Sequence, residues 1–97
     1  MLCLYRVKAG KESEFRPLLQ RHWIILRDLG LATEDPAKLL LGSTKEGKLT
    51  FIEMFQWKNY EAPALAHQSP EVMALWEPMG ELVEDMEFLA LRPVDQA

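Results

Sequence analysis

Residues 48–57, KLTFIEMFQW, constrain the fold more than any other stretch of the chain. In an extended strand, successive side chains point to opposite faces. One side then presents Leu49, Phe51, Glu53, Phe55 and Trp57, and the other Thr50, Ile52, Met54 and Gln56. Neither side is plainly suited to water, so this strand needs cover on both faces. A chain of 97 residues builds one core only. Its own helices can cover one face of a sheet, and the apolar second face then calls for something else, most simply a second copy of the chain. A homodimer is the expectation.

The other segments supply the helices and strands. Residues 2–8 mix Leu, Tyr and Val, and Ala9-Gly10-Lys11 closes them with a turn, as expected of a first strand. Ser13 is a suitable N-cap for an amphipathic helix whose apolar stripe is Phe15, Leu18, Leu19, His22, Leu26 and Leu29. Pro17 is tolerated where the first turn ends, and Gly30-Leu31 has the form of a left-handed helix stop. Residues 38–43 and 48–57 form a hairpin through Thr44-Lys45-Glu46-Gly47. Asn59 caps a short helix through Leu65. Ser69-Pro70-Glu71 starts another, with Val72, Leu75, Trp76, Met79, Leu82 and Val83 as its stripe and a kink or break expected at Pro78. A last strand spans 87–92. The order β-α-β-β-α-β predicts a single α+β domain over residues 1–97, a ferredoxin-like split βαβ sandwich. Its four-stranded antiparallel sheet carries the helices on one face.

Fifteen acidic against eleven basic residues give a formal charge of −4, and the basic residues are scattered, so nucleic acid is not an expected partner. No apolar run reaches membrane-spanning length, and no charged leader precedes one, which predicts a cytoplasmic protein with no membrane partner. Cys3 is the single cysteine, so no intrachain disulfide can form, and a small core residue is its ordinary role. With His22 and His67 as the only histidines, no metal site is argued by spacing. No glycine-rich phosphate loop and no nucleophile motif is present either.

The helix beginning KESEFRPLL and the stretch EMFQWKNYEAPALAHQSPEVMALW resemble the dimeric α+β barrel superfamily, and within it the antibiotic-biosynthesis-monooxygenase-like domains. Trp57 ending a strand, Ala62 after it, and His67 ahead of Ser69-Pro70 are similar to that group's tryptophan-to-histidine signature. The resemblance covers almost the whole chain and marks the fold better than the chemistry. It implies a cofactor-independent monooxygenase or related enzyme acting on a small aromatic molecule; the alternative is a non-catalytic dimer that binds a small molecule or serves assembly. The haem-degrading branch would want an asparagine on the first strand, a tryptophan near Ala66 and a histidine near Trp76. None stands there, so no cofactor is expected.

Each candidate site residue has two readings. His22 and His67 are the candidate catalytic residues, both reaching one cavity between the first helix and the sheet. Otherwise His22 is a core histidine bonded to a backbone carbonyl, and His67 fastens its loop. Glu53, flanked by Phe51 and Phe55 on its face, is either a desolvated acid or base or a partner of Arg6 or Arg92. Phe51, Phe55, Trp57, Trp76 and Trp23 either line a pocket for a flat ligand or simply pack the core.

Overall fold

The computed structural model describes residues 1–96. Its elements run β1 (Leu2–Val7), α1 (Glu12–Asp28), β2 (Lys38–Ser43), β3 (Leu49–Met54), α2 (Ala62–His67), α3 (Pro70–Glu81) and β4 (Val83–Leu89). A single 3₁₀ turn, Val94–Gln96, follows. The sheet is antiparallel with strand order β2-β3-β1-β4, the split βαβ arrangement that the sequence predicts.

Local chemistry explains the element boundaries. Gly10 takes φ +81° in the turn after β1, and α1 begins at once, with Lys11 rather than Ser13 at its N-cap and no side-chain cap. Pro17 therefore lies inside α1, beyond the first turn, and has no N–H to give the carbonyl four residues back. The end of α1 is a Schellman stop. Gly30 adopts φ +74°, its N–H bonds the Arg27 carbonyl at 2.9 Å, and that of Leu31 bonds the Leu26 carbonyl at 2.8 Å. Asn59 does not itself cap α2, which starts at Ala62. Its Oδ1 accepts from the backbone N–H groups of Glu61 (3.1 Å) and Ala62 (3.0 Å), ordering the approach. Ser69 caps α3 through Oγ, which accepts from the Val72 N–H at 3.3 Å.

Near the C-terminus two element bounds differ from the simplest reading. Of the kink or break expected at Pro78, the break does not occur, and α3 continues through Pro78 to Glu81. The last strand starts at Val83 and ends at Leu89, earlier than the predicted 87–92. Leu82 and Val83 continue the helical apolar pattern, but the Leu82 carbonyl accepts from the Lys8 N–H at 2.8 Å, and Val83 pairs with Val7. Tertiary strand pairing overrides the local pattern there. Regular β3 likewise stops at Met54, although Trp57 forms an isolated bridge with Ala32.

The core lies between α1, α3 and one sheet face. Phe15, Leu26 and Val72 are fully buried, as are Cys3 and Tyr5 of β1, and Phe51 of β3 is buried beside them. Each of the Phe, Leu and Val side chains among them contributes about 1.5–3 kcal/mol of transfer free energy. Leu29, at the end of the predicted stripe, is exposed. The opposite sheet face carries Leu2, Leu4, Ile52 and Met54, half-buried, beside exposed Leu40. Arg6, ion-paired to Asp85 (3.2 Å) and Glu87 (2.8 Å), lies toward β4 on this face.

Candidate functional site

Register decides what meets Glu53. Cys3 is directly opposite it, and Tyr5 is opposite Phe51, which puts the tyrosine diagonal to the carboxylate on the helix-covered face. From above, α1 lowers His22 onto the same spot. The Glu53 side chain is wholly buried and accepts from the Tyr5 hydroxyl at 2.7 Å, and His22 Nδ1 stands 2.9 Å from both carboxylate oxygens. The partners of Glu53 are thus Tyr5 and His22, not Arg6 or Arg92. Those of His22 are side chains, not a backbone carbonyl.

The tautomer of His22 follows from its other nitrogen. Trp76 Nε1 donates to His22 Nε2 at 2.8 Å. An indole N–H has no acceptor role, so Nε2 must offer its lone pair and the ring proton sits on Nδ1, directed at Glu53. The result is a directional chain: Trp76 donates to His22, His22 to Glu53, and Tyr5 to Glu53 from the other side. Two donors on a wholly buried carboxylate satisfy a group that would otherwise be costly to bury.

This chain forms one wall of a cavity of about 320 Å³. Its floor is the sheet: Met1 just ahead of β1, Cys3 and Tyr5 of β1, Met86 and Phe88 from β4, and Phe55 and Trp57 beyond β3. His22 enters from α1, Pro63 and His67 from α2, and Trp76 and Met79 from α3. The walls are mostly apolar, the character of small-molecule sites. His67 is exposed at the rim, and its ring packs edge-on against Trp76, 4.9 Å between centroids. The half-buried Trp57 brings a further polar group, its buried Nε1, which has no partner among the described residues.

Burial pushes the Cys3 thiol up to about 12, with the Glu53 carboxylate adding to the rise. The Tyr5 hydroxyl is driven far above its ordinary range by the same two causes in the same order. Both groups therefore face the cavity in their neutral forms.

Of the candidates read from the sequence, His22, His67, Phe55, Trp57 and Trp76 line one cavity, and Glu53 stands directly behind His22. Phe51 and Trp23 lie outside it. Phe51 packs on Phe15, with ring centroids 5.3 Å apart, and Trp23 donates to the Thr33 carbonyl at 3.1 Å beneath Arg27. Sequence reasoning missed Tyr5, Cys3, Met86 and Phe88 as cavity residues. Alternation in LCLYRV puts Cys3 and Tyr5 on one face, but only the strand register aims them at Glu53. Among the described residues, no cluster of three His, Cys, Asp or Glu side chains could hold a metal ion, and no helix is long and apolar enough to cross a membrane.

Neither a protein-family model nor a curated protein sequence matches the chain. Solved structures do match. A point variant of SnoaB, a cofactor-independent oxygenase from Streptomyces nogalater, superposes with a TM-score of 0.70 at 16% identity, over 96% of this chain and 92% of that one. A NIPSNAP family protein from Agrobacterium tumefaciens gives 0.67 at 21% identity, over 99% and 85%. A candidate antibiotic biosynthesis monooxygenase from Deinococcus radiodurans gives 0.61 at 18% identity, over 96% and 92%. The chain thus has the fold of the dimeric α+β barrel superfamily. The same architecture is that of the oxygenase and monooxygenase structures it superposes on.

Proposed function

We propose that this chain is a cytoplasmic homodimer that takes a small, flat, apolar molecule into the His22–His67 cavity and acts on it as a cofactor-independent monooxygenase or a related enzyme. The observation that carries the reading is a carboxylate-backed imidazole in the wall of an otherwise apolar space. Glu53 holds the Nδ1–H of His22, so the basic lone pair is on Nε2 and His22 is the candidate general base. Phe55, Trp57 and Trp76 offer ring faces to an aromatic ligand, and His67 at the rim orients it. Proton removal would raise the ligand's electron density and so favour direct reaction with oxygen, the type of activity named for SnoaB. The apolar face of the sheet supports pairing of two copies.

One observation favours the alternative, a binding module without catalysis: both ring nitrogens of His22 already have partners inside the protein. Titration with fused-ring aromatics, read by tryptophan fluorescence, and oxygen uptake in chelator-treated buffer separate the two. Saturable quenching with oxygen uptake supports the enzyme, and quenching without uptake supports the module. No quenching by any probe rejects the cavity as a ligand site. His22→Ala and His67→Ala should each weaken binding far more than they lower the melting temperature.

A further inference from the structure

We infer that Trp76 is a displaceable cap on the base, and that the ligand this cavity takes carries an aromatic hydroxyl, which donates to His22 Nε2 in place of the indole N–H. The inference rests on the cavity being a ligand site. The only basic lone pair that the Tyr5–Glu53–His22 chain leaves facing outward is Nε2, and it is occupied by the Trp76 N–H at 2.8 Å. A ligand that only accepts hydrogen bonds gains nothing from displacing that donor, because it has no proton to offer the lone pair. A hydroxyl does have one.

The exchange favours a phenol over the indole. The Trp76 bond is a neutral one, worth about 1 kcal/mol net, and its ring is only half-buried, with the exposed His67 ring against it. A phenol hydroxyl is acidic, with an ordinary pKa near 10 like that of tyrosine, whereas an indole N–H only donates. On full transfer the phenol O–H bond breaks and an Nε2–H bond forms, with the electron pair left on the phenolate oxygen. His22 keeps its Nδ1 proton toward Glu53, whose carboxylate at 2.9 Å stabilises the imidazolium. Tyr5, through its hydrogen bond to Oε1, is a positioning residue for that carboxylate. No other reactant is needed for this step.

The test uses the full chain with 1-naphthol and its ether, 1-methoxynaphthalene, which matches the ring but cannot donate. The expected result is that 1-naphthol binds up to about tenfold more tightly, the surplus of its charge-assisted bond to Nε2 over the neutral indole bond that it displaces. In Trp76→Phe, with no N–H competing, the preference for the naphthol over the ether should widen several-fold. Nitrogen-15 shifts of the unsubstituted protein give a readout free of any folding defect. His22 Nε2 should move toward the protonated position on adding 1-naphthol and stay in place on adding the ether. Equal binding of the two probes, parallel weakening of both in Trp76→Phe, or an Nε2 signal unmoved by bound 1-naphthol would each overturn the cap while leaving the cavity as a ligand site. If neither probe binds, the cavity reading fails and the cap fails with it.

Discussion

Tyr5→Phe isolates one bond of the buried chain with little other disturbance. The Tyr5 ring packs against Phe15, 5.2 Å between centroids, and edge-on against Phe88 at 6.3 Å, and a phenylalanine keeps both contacts. Only the hydroxyl is lost, and with it the 2.7 Å hydrogen bond to Glu53 Oε1. A hydrogen bond to a charged group contributes about 1.5–3 kcal/mol, and this carboxylate is wholly buried. We expect a loss of about 2 kcal/mol, which lowers the melting temperature by roughly 8–16 °C for a domain of this size. Guanidinium unfolding at pH 7 and one fixed protein concentration measures it. A double-mutant cycle with Glu53→Gln should show that most of the loss is coupling between the two residues. The same variant carries a pH signature. Burial and Glu53 hold the folded Tyr5 hydroxyl far above its ordinary pKa, so above about pH 10 the unfolded chain releases a proton that the folded chain keeps. Stability then falls as pH rises, by about 1.4 kcal/mol per pH unit for this group, and Tyr5→Phe lacks that fall. The stability difference between the two proteins should therefore shrink above pH 10. A loss below about 0.5 kcal/mol at pH 7, or curves that stay parallel through the alkaline range, would refute the buried donor.

The thiol of Cys3, raised to about 12 by burial, should react with a disulfide reagent at pH 8 on the order of a thousandfold more slowly in the native protein than in urea; comparable rates would show the thiol accessible. Ile52→Glu puts a charge in the middle of the open sheet face and should convert a dimer to a monomer in sedimentation; an unsubstituted chain that is monomeric at micromolar concentration would reject sheet-to-sheet pairing. Gly30→Ala meets no atom within 4 Å but forces an L residue to φ +74°, so thermal melting should show a loss of about 1 kcal/mol from backbone strain alone.

The legible parts of this fold were those written in local chemistry. Ser69-Pro70 started α3 and Gly30-Leu31 ended α1, because a cap and a left-handed stop depend on a few adjacent residues. The stripe from Phe15 to Leu26 placed His22 on the inner face of its helix through periodicity alone. The start of β4 was not legible. Leu82 and Val83 fit a helical stripe equally well, and the choice was made by hydrogen bonds to Lys8 and pairing with Val7, some seventy-five residues earlier in the chain. Pro78 did not break α3, since a packed helix tolerates one missing N–H.

By itself the sequence determined that both faces of the strand around Glu53 are apolar, that His22 points inward, and that Glu53 sits among aromatic rings. Only the tertiary structure decided which partners that carboxylate has. Arg6 was a reasonable candidate by composition, but strand register places it on the opposite face with Asp85 and Glu87, while the same register aims Tyr5 at Glu53. His22 and Trp76 are 54 positions apart, yet the packing of α1 against α3 sets their nitrogens 2.8 Å from each other. Period and propensity are properties of neighbouring residues, whereas a hydrogen-bonded chain of four side chains from four different elements exists only once the sheet and helices have fixed their relative positions.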